Sequence, residues 1–225
     1  MASKRAVIFQ NDCIYHLFNR GVERRPIFFT PRDYKRFMSL LEYYRFHEIA
    51  KSYSHFLRLS LIEQSVFRQS LESKTTAIDI LAFCLMPNHY HIIVKQNVDR
   101  GIHSFLSNVT NGYTKYLNTK RERVGPLYQG PFKAVYIETD EQLLHLSRYV
   151  HINPTVSNVV TLNALSSYPW SSFPDYLDNS AKSFINTSKI LSHFKTNQEY
   201  KDFVYDHISY AEQLEKIKHL AMEEV

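Results

Sequence analysis

Cysteine is scarce in this sequence. Its two cysteines, Cys13 and Cys84, both lie in apolar, strand-like surroundings, and such a pair excludes a disulfide framework. Long hydrophobic runs are also missing: no stretch approaches the length of a membrane span, and the first residues lead into no signal-peptide core. We therefore predict a cytoplasmic protein with no membrane association.

The sequence also lacks internal repeats and low-complexity segments, and its 225 residues fit one domain with additions or two small domains. It has one Trp but 16 Tyr and 15 Phe. Tyrosines in such numbers suit either a buried sheet or stacking on nucleobases. The formal net charge is +5, and acidic residues are concentrated after residue 198. The basic remainder indicates a polyanionic partner, most simply a nucleic acid.

Residues 78–94 contain two short apolar runs around the turn-forming pair Pro87-Asn88, which predicts a buried hairpin. His89 and His91 open the second run. Residues i and i+2 of a strand project to the same face, so the two imidazoles form half of a metal site or a clamp for an anion. The spacing alone does not distinguish these sites from ordinary histidines.

The other elements follow from hydrophobic spacing and capping residues. A strand is predicted over residues 13–20 and another between residues 127 and 137, with helices beginning at Thr30, Gly101 and Thr139. This order is typical of a ferredoxin-like α+β fold, an antiparallel sheet with helices on one face.

Two further segments lie outside this pattern. Residues 48–76 predict a helical insertion between the first helix and the central hairpin. We place the main domain at residues 1–165 and a mostly helical C-terminal extension at residues 166–225.

The helix that begins at Thr139 is predicted to end at Pro154, and it carries His145, Tyr149 and Asn153 four residues apart on one face. If this helix lies beside the second hairpin strand, the Asn153 amide oxygen can complete a cation site with the two histidines. Imidazole and oxygen ligands with open positions favour Mg²⁺ or Mn²⁺.

Tyr149 would then be a nucleophile toward a metal-polarised phosphodiester. Taken alone, Tyr149 and Asn153 are better explained as a packing tyrosine and a capping asparagine. When the histidine pair is considered with them, we prefer the interpretation that Tyr149 is a nucleophile and Asn153 a metal ligand.

Basic residues cluster in three places where they either contact phosphates or are simply solvated. These places are the loop after the first strand, the end of the second long helix, and the last strand. The candidate DNA-binding residues are Arg20, Arg24, Lys115, Lys120, Arg121, Arg123 and Lys133.

Six motifs lie in collinear order across roughly residues 13–175. They are Tyr15-His16-Leu17-Phe18-Asn19-Arg20-Gly21, Met86-Pro87-Asn88-His89-Tyr90-His91, Asn111-Gly112-Tyr113-Thr114-Lys115-Tyr116-Leu117-Asn118, Gly130-Pro131-Phe132-Lys133-Ala134, Tyr149-Val150-His151-Ile152-Asn153-Pro154 and Trp170-Ser171-Ser172-Phe173. Together they resemble the REP-associated tyrosine transposases, which are single-tyrosine HUH transposases of the insertion-sequence type. Pro131 departs from the pattern, since an arginine is expected there.

The resemblance implies the HUH endonuclease fold, with His89 and His91 as the metal-binding pair, Asn153 as third ligand and Tyr149 as nucleophile. It further implies a transposase that nicks and rejoins single-stranded, hairpin-bearing DNA through a 5′-phosphotyrosine link, using Mg²⁺ or Mn²⁺, as a monomer or homodimer.

Two other functions compete with this one. A non-catalytic single-stranded nucleic-acid-binding domain would use the same sheet, but it gives no reason for a His-x-His pair together with Tyr149 and Asn153. A metal-dependent phosphodiesterase that uses water would need acidic ligands, and the sequence shows none near these motifs.

Overall fold

The computed structural model of the chain describes residues 7–177 and 184–206. Four strands form one antiparallel sheet in the order β2-β3-β1-β4. They are β1 (Ile14–Arg20), β2 (Ile78–Met86), β3 (His89–Gln96) and β4 (Lys133–Ile137). The predicted hairpin around Pro87-Asn88 joins β2 to β3, and both of its strands are almost wholly buried.

Eight α-helices lie within these described residues. They are α1 (Pro31–Tyr44), α2 (Tyr53–Phe56), α3 (Leu61–Glu72), α4 (Gly101–Lys120), α5 (Asp140–Val156), α6 (Phe173–Leu177), α7 (Ser188–Leu191) and α8 (Asn197–Tyr205). Short 3₁₀ segments cover Val22–Arg24 and Leu162–Ser167. None of these helices is both long and apolar enough to cross a membrane.

The two predicted helix starts that depend on capping residues are present. An Asp33 carboxylate oxygen accepts a hydrogen bond from the Thr30 amide at 3.0 Å, and Pro31 opens α1. The Thr139 hydroxyl accepts from the Gln142 amide at 3.1 Å and caps α5. The predicted end of α5 is wrong, because the helix continues through Pro154 to Val156. Asn153 and Pro154 are buried, and packing of this last turn outweighs the backbone preference of proline.

The two faces of the sheet carry different helices. Tyr90 of β3 packs against Phe37 of α1, with ring centroids 5.2 Å apart, and Phe37 in turn contacts Tyr113 of α4. The next residue, His91, points the other way and contacts Tyr149 of α5. The predicted α+β fold with an antiparallel sheet is confirmed. The prediction that the helices lie on one face is wrong, because α1 and α4 cover one face of the sheet and α5 packs on the other.

The segment after residue 166 covers the open edge of β2. The Leu85 amide donates to the Trp170 carbonyl at 2.8 Å, and the Ser172 amide donates to the Phe83 carbonyl at 3.0 Å. This pairing satisfies backbone groups that an edge strand would otherwise expose. The division at residues 165 and 166 stays a prediction, and the acidic tail after residue 206 lies outside the described residues.

The segment predicted as an insertion contains α2 and α3, and it packs on α1 through aromatic rings. Tyr53 and Phe56 of α2 lie 5.1 and 5.3 Å from Tyr43 of α1, measured between ring centroids. The Tyr53 amide also donates to the Tyr44 hydroxyl at 2.9 Å. The insertion is therefore fixed on the helix layer that lies over the Tyr90 face of the sheet.

Candidate active site

His89 and His91 stand side by side at the turn end of β3. Their ring centroids are 5.0 Å apart and their planes nearly perpendicular, and both side chains are buried. On the neighbouring strand β1, the backbone partners of these two residues are Arg20 and Phe18. The alternation of a strand thus places both imidazoles on the face that α5 covers, as the sequence predicts.

Hydrogen bonds engage the Nδ1 atom of each ring. His89 Nδ1 lies 2.6 Å from the Asn88 side-chain oxygen, and the Asn88 amide group donates to the Arg24 carbonyl at 3.1 Å. Since that donation turns the Asn88 oxygen toward the ring, His89 carries its proton on Nδ1. His91 Nδ1 lies 2.9 Å from His16 Nε2. In His89 the lone pair therefore lies on Nε2, the atom suited to bind a cation, and the same holds for His91 in the tautomer that donates from Nδ1 to His16.

His16 is the residue that sequence reasoning missed as part of the site. It is fully buried in β1, and its ring stacks on that of His91 with centroids 5.1 Å apart. Its backbone partner on β3 is Ile93, two residues beyond His91. The alternation of the first strand puts His16 on one face, but only the strand order β3-β1 brings that face to His91.

Tyr149 of α5 is the predicted residue that the structure brings to the histidines. Its ring centroid lies 5.4 Å from that of His91, with the planes nearly perpendicular, and the residue is 4% exposed. A phenol in this position is held beside the pair by a helix rather than a loop, which favours a fixed geometry.

Asn153 and His145 have other contacts. The Asn153 side-chain oxygen accepts from the Ser157 hydroxyl at 3.3 Å, so its role as a metal ligand stays a prediction. His145 lies against Phe203 of α8, with ring centroids 5.9 Å apart. Within residues 7–177 and 184–206, no three His, Cys, Asp or Glu side chains come together as a metal site. A cation here would be bound by two imidazole nitrogens together with an oxygen that does not come from a carboxylate, such as the oxygen of an amide.

Other tyrosines near basic residues are engaged elsewhere. The Tyr113 hydroxyl donates to the Ile27 carbonyl at 2.6 Å, and burial raises the pKa of this phenol well above its ordinary value. The Tyr116 hydroxyl donates to an Asp33 carboxylate oxygen at 2.9 Å. Both lie on α4, which covers the Tyr90 face of the sheet and not the face with the histidine pair.

The predicted DNA-binding residues divide into two groups. Arg20, Arg24 and Lys133 belong to the histidine end of the sheet. Arg20 is the backbone partner of His89, the Arg24 carbonyl holds Asn88, and Lys133 extends over the ring of Phe18 at 5.9 Å.

The second group belongs to the end of α4. Lys115 is exposed on that helix. Lys120 donates to Asp33 at 2.6 Å, Arg121 lies 3.5 Å from the centroid of the exposed Phe29 ring, and Arg123 donates to the Asn118 side chain at 3.3 Å. The DNA contacts of both groups stay predictions.

Comparison with known proteins gives two findings that bear on this site. The family model for IS200-like transposases matches residues 63–153, less than half of the chain. The matched segment contains both histidines of the pair and Tyr149, and it ends at Asn153. No curated protein was found to match the chain.

Among solved structures, a REP-associated tyrosine transposase bound to a REP hairpin has a TM-score of 0.51 and 14% sequence identity, and the alignment covers 84% of this chain and 93% of that one. At this identity the likeness shows the fold alone. A tRNA(His) guanylyltransferase from Saccharomyces cerevisiae covers 97% of this chain and 83% of its own at 12% identity, but its TM-score of 0.31 supports no argument.

The four-stranded antiparallel sheet with its helices matches the α+β fold of the REP-associated tyrosine transposase. Residues 63–153 of the chain are similar to IS200-like transposases. Both similarities favour an enzyme that cuts DNA and transfers strands, and HUH transposases generally depend on a metal ion.

Proposed function

We propose that this transposase nicks and rejoins single-stranded, hairpin-bearing DNA with Tyr149 as its nucleophile. The observation that carries the proposal is the contact between the rings of Tyr149 and His91, 5.4 Å apart. A non-catalytic nucleic-acid-binding domain would not require a phenol and two imidazoles to meet under a helix. A nucleophile fixed beside the cation site saves the entropy of bringing it there.

In this proposal His89 and His91 bind Mg²⁺ or Mn²⁺ through their Nε2 atoms, with Asn153 as the third ligand. The bound ion would polarise the phosphodiester and stabilise the charge that develops on its oxygens. Asn88 and His16 support the pair by holding the Nδ1 atoms at 2.6 and 2.9 Å. Both are positioning residues, since each acts on the cation through a histidine.

The chemical step is a transesterification. The Tyr149 oxygen attacks the scissile phosphorus and the bond from phosphorus to the 3′ oxygen breaks. The phenol loses its proton to solvent, and the leaving 3′ oxygen takes up one proton from solvent, so that the step balances. The products are a 5′-phosphotyrosine link and a free 3′-OH. Attack by a 3′-OH on the same phosphorus reverses the step and rejoins the strand.

The substrate proposal is supported by charge and by likeness. Arg20, Arg24 and Lys133 provide positive charge at the histidine end of the sheet, where phosphates of the cut strand would lie. The structurally similar transposase is bound to a hairpin. We place the reaction in the cytoplasm and leave open whether one or two copies of the chain form the enzyme.

The direct test is a covalent adduct. Labelled single-stranded DNA with a hairpin, incubated with the protein and Mn²⁺, should give a band of protein-linked label on a denaturing gel. Excess chelator should remove the band. DNA that is bound on a native gel but never becomes linked or cut would instead support the non-catalytic binding domain.

A further inference from the structure

A groove of about 660 Å³ lies between α1 and α4, on the face of the sheet opposite to the histidine pair. Residues 52–54 of the insertion form one of its walls. Among the residues that the structure describes, four basic side chains line it, Arg32, Arg36, Lys115 and Lys120, and no acidic residue does. Such an excess of one charge in a concave surface raises the local concentration of anions.

One of the two arginines in this groove, Arg36, is held in place by two aromatic rings. The guanidinium carbon of Arg36 lies 5.1 Å from the ring centroid of Tyr53 and 4.8 Å from that of Tyr116. Tyr53 belongs to the insertion and Tyr116 to α4, so the insertion completes the clamp. A stacked guanidinium has lost its rotamer freedom before a ligand arrives, and its edge suits the paired oxygens of a phosphate.

The charges are not all offset within the protein. Lys120 forms an ion pair with the buried Asp33 at 2.6 Å. Arg32 and Lys115 are exposed, and neither has an acidic partner among the ion pairs of the described residues. Phosphate oxygens are the ligands that would satisfy these cations.

Residues 27–29 run from the turn before His89 to a contact with Arg121 at the end of α4. The amides of Ile27 and Phe28 both donate to the Pro87 carbonyl in the turn before His89. The exposed Phe29 follows, and Arg121, which follows the last residue of α4, lies 3.5 Å from its ring. A polynucleotide that extends from the histidine pair along residues 27–29 would pass Arg121, which adjoins Lys120 in the sequence.

We propose that this groove binds the phosphodiester backbone of the DNA substrate at nucleotides away from the cleaved bond. In this proposal, the role of residues 48–76 is to form one wall of the groove. The inference rests on the proposed function only for the identity of the polyanion. It assigns to the insertion a task that the catalytic chemistry does not need.

A pair of matched charge reversals tests the groove. Lys115→Glu changes an exposed lysine that lines it, whereas Lys35→Glu changes an exposed lysine of α1 that does not. Binding is measured over a range of salt concentrations with two strands. One carries the hairpin and its flanks, and the other is only long enough to cover the cleaved position.

Lys115→Glu should weaken binding of the long strand about three- to tenfold and lower the slope of log K against log salt by about 0.7–0.9, the value for one lost phosphate contact. It should leave binding of the short strand, which does not reach the groove, unchanged. Lys35→Glu should match the parent with both strands. Arg36→Gln, which keeps much of the length of the side chain but not its charge, should act in the same direction as Lys115→Glu.

If Lys115→Glu and Lys35→Glu lose equal affinity for the long strand, or if neither loses any, the proposal that the groove binds DNA is contradicted. It is also contradicted if Lys115→Glu weakens binding of the short strand as much as binding of the long strand. The proposed function is tested separately, because it predicts that the parent forms the covalent adduct with the hairpin-bearing strand. If the parent forms the adduct while the two lysine variants bind the long strand with equal affinity, only the proposal for the groove is refuted.

Discussion

The Nε2 atom of His16 lies 2.9 Å from the Nδ1 atom of His91, and both residues are buried in the sheet. One proton fits between two such nitrogens. If His91 binds a cation through Nε2, that proton belongs to His91, and His16 accepts it. The buried histidine of β1 thereby fixes the ring and the tautomer of a residue on β3.

Replacing His16 tests this relationship. His16→Phe keeps a ring of similar volume but removes the acceptor, and Mn²⁺ affinity should fall roughly 10–100-fold, as for other residues that support a metal ligand. His16→Gln offers an amide oxygen in place of Nε2 and should retain more affinity than His16→Phe. Titration of Mn²⁺ by electron paramagnetic resonance measures both. Parent-like affinity in His16→Phe would show that the contact only packs the sheet.

Loss of the metal pair should separate cutting from binding. His89→Ala and His91→Ala should abolish cleavage but leave hairpin affinity within about threefold of the parent, because phosphate contacts carry most of the affinity. Cleavage assays and filter binding on the same preparations measure the two properties. If either variant cuts at the parent rate in excess chelator, the metal site is assigned wrongly.

The affinity for DNA should depend on whether the DNA has unpaired bases and on the salt concentration. A single strand with a hairpin should bind more tightly than a blunt duplex of equal length, and its affinity should fall as salt rises because bound counterions are released. Fluorescence anisotropy at several salt concentrations measures both effects. Equal affinity for the two forms at every salt concentration would rule out recognition of unpaired bases.

The buried carboxylate of Asp33 should link stability to pH. Burial alone would raise its pKa, but hydrogen bonds from Lys120, Tyr116 and Thr30 outweigh that effect and hold the pKa below its ordinary value. The folded state therefore binds this proton less readily than the unfolded chain. The resulting stability is complete above the unfolded pKa of about 3.9 and is lost as pH falls through the lowered folded pKa.

Asp33→Asn should lower the free energy of unfolding at neutral pH by about 1–3 kcal/mol, and it should flatten the loss of stability below about pH 4. Urea melts of parent and variant between neutral and acidic pH measure both effects. A variant whose stability runs parallel to that of the parent through the acidic range would show that Asp33 carries no such linkage.

Local sequence signals predicted the elements that depend on neighbouring residues. The apolar runs around Pro87-Asn88 predicted the hairpin, and Thr30 and Thr139 predicted the starts of two helices, because a cap and its partner lie within one turn. The predicted end of α5 was wrong for the opposite reason. Pro154 is a local stop signal, and the burial of that last turn overrides it.

Contacts between distant segments were not predictable in the same way. The pairing of His16 with His91 requires the order of strands in the sheet, and the clamp on Arg36 requires the insertion to dock on α1. The basic residues could be named from the sequence, but their division between two faces of the sheet could not, since it depends on where α4 lies. Tyr149 was predicted from its helical spacing with Asn153, and the family resemblance implied the same residue, but its contact with His91 depends on where α5 packs on the sheet.

The measurement that tests the central claim most directly is the identity of the residue joined to DNA. Adduct formed with single-stranded DNA and Mn²⁺ is digested, and the DNA-linked peptide is sequenced by mass spectrometry. The DNA should lie on the peptide that contains Tyr149. Tyr149→Phe should still bind DNA yet form no adduct, while Tyr113→Phe and Tyr116→Phe should still form one. A DNA link at Tyr113 or Tyr116, or an undiminished adduct in Tyr149→Phe, would contradict the assignment.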